Sequence, residues 1–273
     1  MLQKKVKILI ITLMLFSVNF YAQVKLKGTL INSNTGLPLR YVNVGIVSKD
    51  VGTVTNQYGE FNLEVENQYL NDSITLSMIG FSTQKLPIEY FVLKDSVFLD
   101  QKFINIKDLI VNNKKGQEIF LGNERPDFMY ATVSLKLIEA GNEIGIFVDV
   151  DKQTEIYKFN LLIVKSDYDR LKFRINFYDL KDKIPNKRIN SENIIVETTI
   201  KEGLISFDLK DYAIYMKENF FVSIESLEEL WDDNKEIIVV GKIGGKSYSR
   251  LTSQSDWITY KLGVCIFLNA IEY

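Results

Sequence analysis

The chain has 273 residues, a formal net charge of −2 and a 46% apolar share, the composition of a folded globular protein of one large or two modest domains. It holds no histidine and one cysteine, which excludes Ser-His-Asp and Cys-His nucleophiles, His-bearing metal sites, an intrachain disulfide and multi-cysteine metal sites. Lysines and arginines are spread along the chain rather than clustered, so nothing calls for nucleic acid as a partner.

At the N-terminus Lys4, Lys5 and Lys7 precede an apolar run from Ile8 to Val18, followed by Asn19-Phe20-Tyr21-Ala22-Gln23. A positive start, a short apolar core and a small residue before a polar one predict a cleavable secretory leader over residues 1–22, cut after Ala22. The run is shorter than the roughly 20 residues that span a bilayer, and no cysteine follows it to take a lipid anchor. The mature chain is expected to start near Gln23 with no transmembrane segment.

Short alternating strands come next. Val24, Leu26, Gly28 and Leu30 alternate with Lys25, Lys27 and Thr29 before Asn32-Ser33-Asn34-Thr35-Gly36 breaks the strand. Val42, Val44 and Ile46 share a face, as do Phe61, Leu63 and Val65, then Ile74, Leu76 and Met78, then Val97 and Leu99, and Ile104 to Val111 closes the series. Strands this short, with no convincing helix between them, predict an antiparallel β-sandwich over residues 23–111. Residues 112–127, with Asn-Asn-Lys-Lys-Gly and Gly122-Asn123-Glu124-Arg125-Pro126, read as the interdomain connection.

Residues 128–273 give a second series. Leu171, Phe173, Ile175 and Phe177 alternate with Lys172, Arg174, Asn176 and Tyr178, after the longer strand EIYKFNLLIVK. Ile184-Pro185-Asn186 reads as a turn. Further strands are expected at Ile194–Thr199, Leu204–Leu209, Phe220–Glu225, Glu236–Val240 and Val264–Ile271. The architecture these predict is a second β-sandwich, of jelly-roll type. Cys265, inside LGVCIFL, reads as a core thiol.

Several blocks of the first segment occur in a set order: Gly28, Thr35-Gly36-Leu37-Pro38-Leu39, Val42 to Val44, GTVTNQYGEF from Gly52 to Phe61, and Ile79-Gly80-Phe81. In that order they resemble the carboxypeptidase-regulatory-like (transthyretin-like) β-sandwich module. The resemblance implies a fold and a setting in the bacterial envelope, where this module stands before TonB-dependent outer-membrane transporters and in many secreted or periplasmic proteins. It implies no peptidase activity, because the parent module is a non-catalytic appendage. The blocks also have local reasons: Gly36 and Gly59 suit positive φ, Asn56 caps its own turn, and Pro38 pre-sets φ at a turn exit. Residues 112–273 are too few for a transporter plug and barrel, so an accessory role is expected rather than transport itself.

Four segments carry candidate chemistry. VVGKIGGKS, from Val239 to Ser247, imitates a P-loop, but Val240 stands where the first glycine belongs, and the following Ser247 to Thr252 alternate like a strand; a glycine-rich hairpin between Ile237–Val240 and Tyr248–Leu251 is the expectation. Asp149 to Glu155 imitates an EF-hand, yet its sixth and twelfth positions are Thr154 and Asn160, which leaves only an irregular calcium loop or a solvated turn. Ser82-Thr83-Gln84-Lys85 matches Ser-x-x-Lys in a strand context, where lysine does not stack over serine. In Trp231-Asp232-Asp233, and at Trp257, an indole beside carboxylates could stack on a sugar ring, against the alternatives of a solvated loop and a core anchor.

The sequence thus supports an all-β, two-sandwich chain with no assigned catalytic, cofactor or metal residue and with Trp231, Asp232, Asp233 and Trp257 as ligand-binding candidates. The expected function is a non-enzymatic binding or interaction protein of the Gram-negative envelope, periplasmic or outer-membrane associated, with secretion also open. An envelope protein, such as a transporter it serves, or a glycan is the expected partner. The alternative is carbohydrate binding or glycoside processing through the second sandwich.

Overall fold

The computed structural model describes residues 23–102, 116–124, 130–135, 139–228 and 235–273. The leader and the strand expected at Ile104–Val111 lie outside the described residues. The chain is all-β: a first β-sandwich is followed by a second. Among the described residues no helix is long and apolar enough to cross a membrane.

Among the described residues the first sandwich has seven strands, β1 (Gln23–Asn32), β2 (Asn43–Gly45), β3 (Gly52–Val54), β4 (Glu60–Glu66), β5 (Ser73–Ser77), β6 (Gln84–Pro87) and β7 (Ser96–Leu99), with one short helix, α1 (Ile88–Leu93). They form two sheets, β4-β1-β7 and β3-β2-β5-β6. The apolar members of each alternating strand meet between the sheets, with Leu26, Leu30, Val44, Leu63, Ile74 and Leu99 all buried. One pairing departs from the antiparallel expectation: β1 and β7 run parallel, Thr29 opposite Ser96. Parallel neighbours need a crossover, and α1 belongs to it, burying Ile88 and Phe91 and setting the Phe91 ring 5.8 Å from that of Phe61.

The turn chemistry expected at Asn56 and Gly59 is realised. Gly59 has φ of 76°, and a Cβ there would lie 2.9 Å from the Leu30 carbonyl oxygen. The Asn56 side chain accepts from the amides of Tyr58 at 2.8 Å and Glu60 at 3.0 Å, so it caps its own turn.

The second sandwich contains thirteen strands among the described residues. They are β8 (Gln117–Gly122), β9 (Ala131–Leu135), β10 (Glu143–Val148), β11 (Thr154–Ser166), β12 (Leu171–Lys181), β13 (Ile184–Arg188), β14 (Ile194–Thr198), β15 (Gly203–Asp208), β16 (Ile214–Met216), β17 (Phe220–Ser226), β18 (Ile237–Arg250), β19 (Ile258–Val264) and β20 (Ile266–Glu272). Their main order is β13-β12-β17-β10-β18-β11-β20-β8. Phe159, Phe173, Phe220, Val239 and Leu268, from five different strands, share one core, so the sheet curls over itself. Cys265 is also buried, its Sγ 3.7 Å from the Glu124 carbonyl oxygen.

Three local expectations are corrected. The connection drawn over 112–127 contains β8, which pairs antiparallel with β20, Gln117 opposite Glu272; its alternating Ile119 and Leu121 pack on the core while Glu118 and Phe120 face out. Ile184-Pro185-Asn186 is strand, not turn. The turn sits just before it, where Asp182 and Lys183 both have positive φ, 54° and 62°, the pair of angles that matches the twist of a two-residue hairpin. The expected hairpin in VVGKIGGKS is one continuous 14-residue strand, β18, whose pairing with β19 shifts register between Ile243 and Ser247. Gly244, at φ 80°, lies in that irregularity. Strand on both sides of the glycines leaves no helix N-terminus to receive a phosphate.

Candidate functional site

The site starts from the alternation of β12. One face, Leu171, Phe173, Ile175 and Phe177, enters the core as the pattern predicts. The other, Lys172, Arg174, Asn176 and Tyr178, is buried as well, and Arg174 and Asn176 are 0% exposed. Residues of the first sandwich contribute to that cover: the guanidinium of Arg174 donates to the carbonyl oxygen of Tyr41 at 2.7 Å and to Asn43 Oδ1 at 2.5 Å.

The polar face is organised around two carboxylates. Glu225 of β17 accepts from Arg174 Nη2 at 2.7 Å and Nε at 2.9 Å, and from Arg188 Nη2 at 2.9 Å. Glu143 of β10 accepts from Arg250 Nε at 2.8 Å and Nη2 at 2.5 Å, and from Ser223 Oγ at 2.5 Å. Asn176 Nδ2 bridges them, 2.8 Å from Glu143 and 2.7 Å from Glu225. The Tyr178 hydroxyl donates to Glu143 at 2.8 Å and accepts from Arg188 and Arg250. Three guanidiniums against two carboxylates leave the cluster with one positive charge. Sheet pairing sets this arrangement: Arg174 stands opposite Glu225 and Asn176 opposite Ser223 across β12 and β17, and Glu143 stands opposite Glu225 and Arg250 on its two sides.

Further contacts lock the two sandwiches. The segment after β18 lies against the β2–β3 hairpin, with the Ser48 amide donating to the Gln254 carbonyl at 2.8 Å and Ser255 Oγ donating to the Lys49 carbonyl at 3.0 Å. Tyr41, Val54, Ala140 and Leu227 form a small apolar cluster at the same junction. Beside the ionic cluster the two sandwiches enclose a cleft of about 620 Å³, whose walls are Ser77 to Phe81 on one side and Tyr178, Arg188 and Arg250 on the other.

Burial by itself would raise the Glu225 carboxyl, but the Arg174 and Arg188 guanidiniums overcome it and hold it down at about 2, from an ordinary 4.5. Burial likewise pushes the Tyr178 hydroxyl up, keeping it a neutral donor. A carboxyl whose folded value lies below its unfolded one contributes stability that is fully present above the unfolded value and lost as pH falls toward the folded one. Stability is therefore expected to decline from about pH 4.5 down to about pH 2 as Glu225 takes its proton. Urea midpoints measured at intervals from pH 6 to pH 2 test this, and a flat profile across that window contradicts it.

Of the sequence-predicted ligand-binding candidates, Trp257 lies among the described residues. Trp231, Asp232 and Asp233 lie outside the described residues. Trp257, between β18 and β19, is partly buried: the Arg250 guanidinium sits 4.4 Å from its ring centroid and the Phe221 ring 4.8 Å away. Of the calcium-loop residues, Asp149 accepts from the Asn219 side chain at 2.8 Å while Thr154 and Glu155 enter β11. In Ser82 to Lys85, Gln84 and Lys85 belong to β6 and no helix stacks lysine on serine. The cluster itself escaped sequence reading, because Glu143, Arg174, Glu225 and Arg250 stand in four separate strands with no motif spacing. The available signal was weak: Glu225 ends the apolar run FFVSI, where a lone carboxylate has to find a buried partner.

The sequence of residues 26–108 matches the CarboxypepD_reg-like domain family. The first sandwich is a carboxypeptidase-regulatory-like domain. The contacts above therefore run between this regulatory-like domain and the sandwich that follows it. No curated protein matches the chain. Among solved structures, the cysteine protease and lectin-like domains of Cwp84, a surface layer associated protein of Clostridium difficile, align at a TM-score of 0.40 and 8% identity over 86% of this chain. The chain spans 59% of the length of that structure. The clostridial cysteine protease Cwp84 after propeptide cleavage aligns at 0.40 and 9% identity, over 92% of this chain and 71% of that one. A structure of infectious bursal disease virus, Gx strain, aligns at 0.27 and 9% identity, over 91% and 62%. Likenesses of this size carry no functional argument for the regulatory-like domain or its neighbour.

Proposed function

We propose that the protein is an exported, non-enzymatic binding protein of the Gram-negative cell envelope, accessory to an outer-membrane transporter, with the cleft beside the ionic cluster, at the junction of its two sandwiches, as the binding site. The observation that carries the binding reading is the shared construction of that cleft: the regulatory-like domain supplies one wall and the second sandwich the other. Ligand sites favour such domain junctions. The ionic cluster beneath fixes the two walls relative to each other, so little ordering is needed on binding. Export and the envelope setting are supported by the leader pattern in residues 1–22 and by the company the regulatory-like module keeps.

The test is mild crosslinking of intact cells that carry a C-terminally tagged copy, followed by envelope fractionation and identification of what is retained. An outer-membrane transporter recovered with the tag is the expected result. Recovery as a free cytoplasmic protein would overturn the envelope reading, and recovery as a free periplasmic protein would overturn the accessory role.

A further inference from the structure

The hydrogen-bond capacity of the three buried arginines is unequally used. Arg174 engages all five of its N–H groups: Nε with Glu225, Nη2 with Glu225 and Asn43, and Nη1 with Tyr41 and Asn193. Arg188 uses Nε on Tyr178 and Nη2 on Glu225, and Arg250 uses Nε and Nη2 on Glu143 and Tyr178. That leaves Nη1 of both Arg188 and Arg250 without a protein acceptor among the described residues. Both arginines line the cleft, while Arg174 does not. Their side chains keep 12% and 9% exposure, so the guanidiniums are mostly covered by protein yet still reach the cleft.

The rest of the cleft has the same sign. Lys102 and Lys187 stand on its lining, exposed and in no ion pair among the described residues, and no aspartate or glutamate lines it. The cluster beneath adds its one uncompensated positive charge. The facing wall is different in kind: Met78, Ile79 and Phe81 present apolar surface.

Resting on the reading of this cleft as the binding site, we propose that its ligand is a small organic oxyanion. The anionic group, a carboxylate or a phosphate, sits at the unused Nη1 groups of Arg188 and Arg250, and the organic body lies against Met78, Ile79 and Phe81. Guanidinium donors held in place suit either oxyanion, since both present several acceptor oxygens to N–H groups of fixed direction. A ligand charge of −1 neutralises the cluster. Lys102 and Lys187 act at longer range, raising the local concentration of anions and selecting against cations.

Trp257 reports on the site, because its ring lies against Arg250. The chain has two tryptophans, so Trp231→Phe leaves Trp257 as the sole indole, excited selectively over the tyrosines. Phenyl phosphate and benzoate are titrated into that protein, with benzyl alcohol as the neutral probe and inorganic phosphate as competitor. The expected result is a saturable change in Trp257 emission with at least one of the two anions, weakened roughly tenfold by the double substitution Lys102→Glu and Lys187→Glu, and weakened by salt. Both lysines are exposed, so circular dichroism should show the double variant folded. Whichever aromatic anion saturates identifies the head group as carboxylate or phosphate. Absence of a saturable change with both anions overturns the proposal, as does equal affinity in the double variant. Equal binding of benzyl alcohol overturns the anionic requirement while leaving the cleft as a binding site, and a crosslinked envelope partner without any anion response overturns this inference alone.

Discussion

Arg174→Met is expected to remove about 3–5 kcal/mol of stability. Arg174 is completely buried and satisfies Glu225 through two donors, so removing it leaves a carboxylate in a dry interior with Arg188 and Asn176 as its remaining partners. The cost comes from stranding that charge, not from losing a net-favourable pair; a buried ion pair replaced whole by apolar groups is often neutral. The same substitution also removes the donors to Tyr41 and Asn43 in the regulatory-like domain. Urea unfolding of the variant should show a lower midpoint, and the domain junction should open at lower denaturant than the second sandwich unfolds. An unfolding free energy within about 0.5 kcal/mol of the parent, typical of an inert surface change, would refute this account of the cluster.

The second large effect is expected at Gly145, in the middle of β10. A Cβ there would lie 2.2 Å from the Val222 carbonyl oxygen and 2.6 Å from Ser223 Cβ. The obstructing groups belong to the neighbouring strand, held in register with Gly145 opposite Ser223 on one side and Tyr248 on the other. A rotamer change cannot relieve contact with a backbone oxygen. Gly145→Ala should therefore cost about 3 kcal/mol, the upper part of the usual range for overpacking, and lower the melting temperature by about 10 °C. The displaced strand is β17, which carries Ser223 and Glu225, so the ionic cluster should loosen with it. A soluble Gly145→Ala protein that melts with the parent would show that the strands separate more easily than the register implies.

How much of this was legible in the sequence depended on the range of the interaction responsible. Alternation is local, and it placed the apolar faces of β1, β4, β5, β7 and β12 correctly; the caps and positive-φ turns at Asn56 and Gly59 were legible for the same reason. The parallel partner of β1 was not, because it depends on the course the chain takes between β6 and β7. Nor did alternation reveal that Lys172, Arg174, Asn176 and Tyr178 are buried. A polar face in a strand normally meets water, and here its cover includes Tyr41 and Asn43, 131 to 133 residues away from the side chains they contact. One of those partners is a backbone carbonyl, which has no sequence signature at all. For VVGKIGGKS, the glycines signalled a break that became a register irregularity inside one strand, since β19 continues the pairing on both sides of it.

The pairing of β8 with β20 governs the order in which the molecule can be completed. Gln117 sits opposite Glu272, so β8 has to remain without this partner until β20 has been made. The entropy of closing so long a loop grows only slowly with its length, but it has to be met before the distant contacts form. On a ribosome, the regulatory-like domain is complete early, while β8 and β11 present open edges that invite foreign strands. Deleting β20 would prolong that vulnerable interval indefinitely, and the loss would be felt as aggregation of newly made protein.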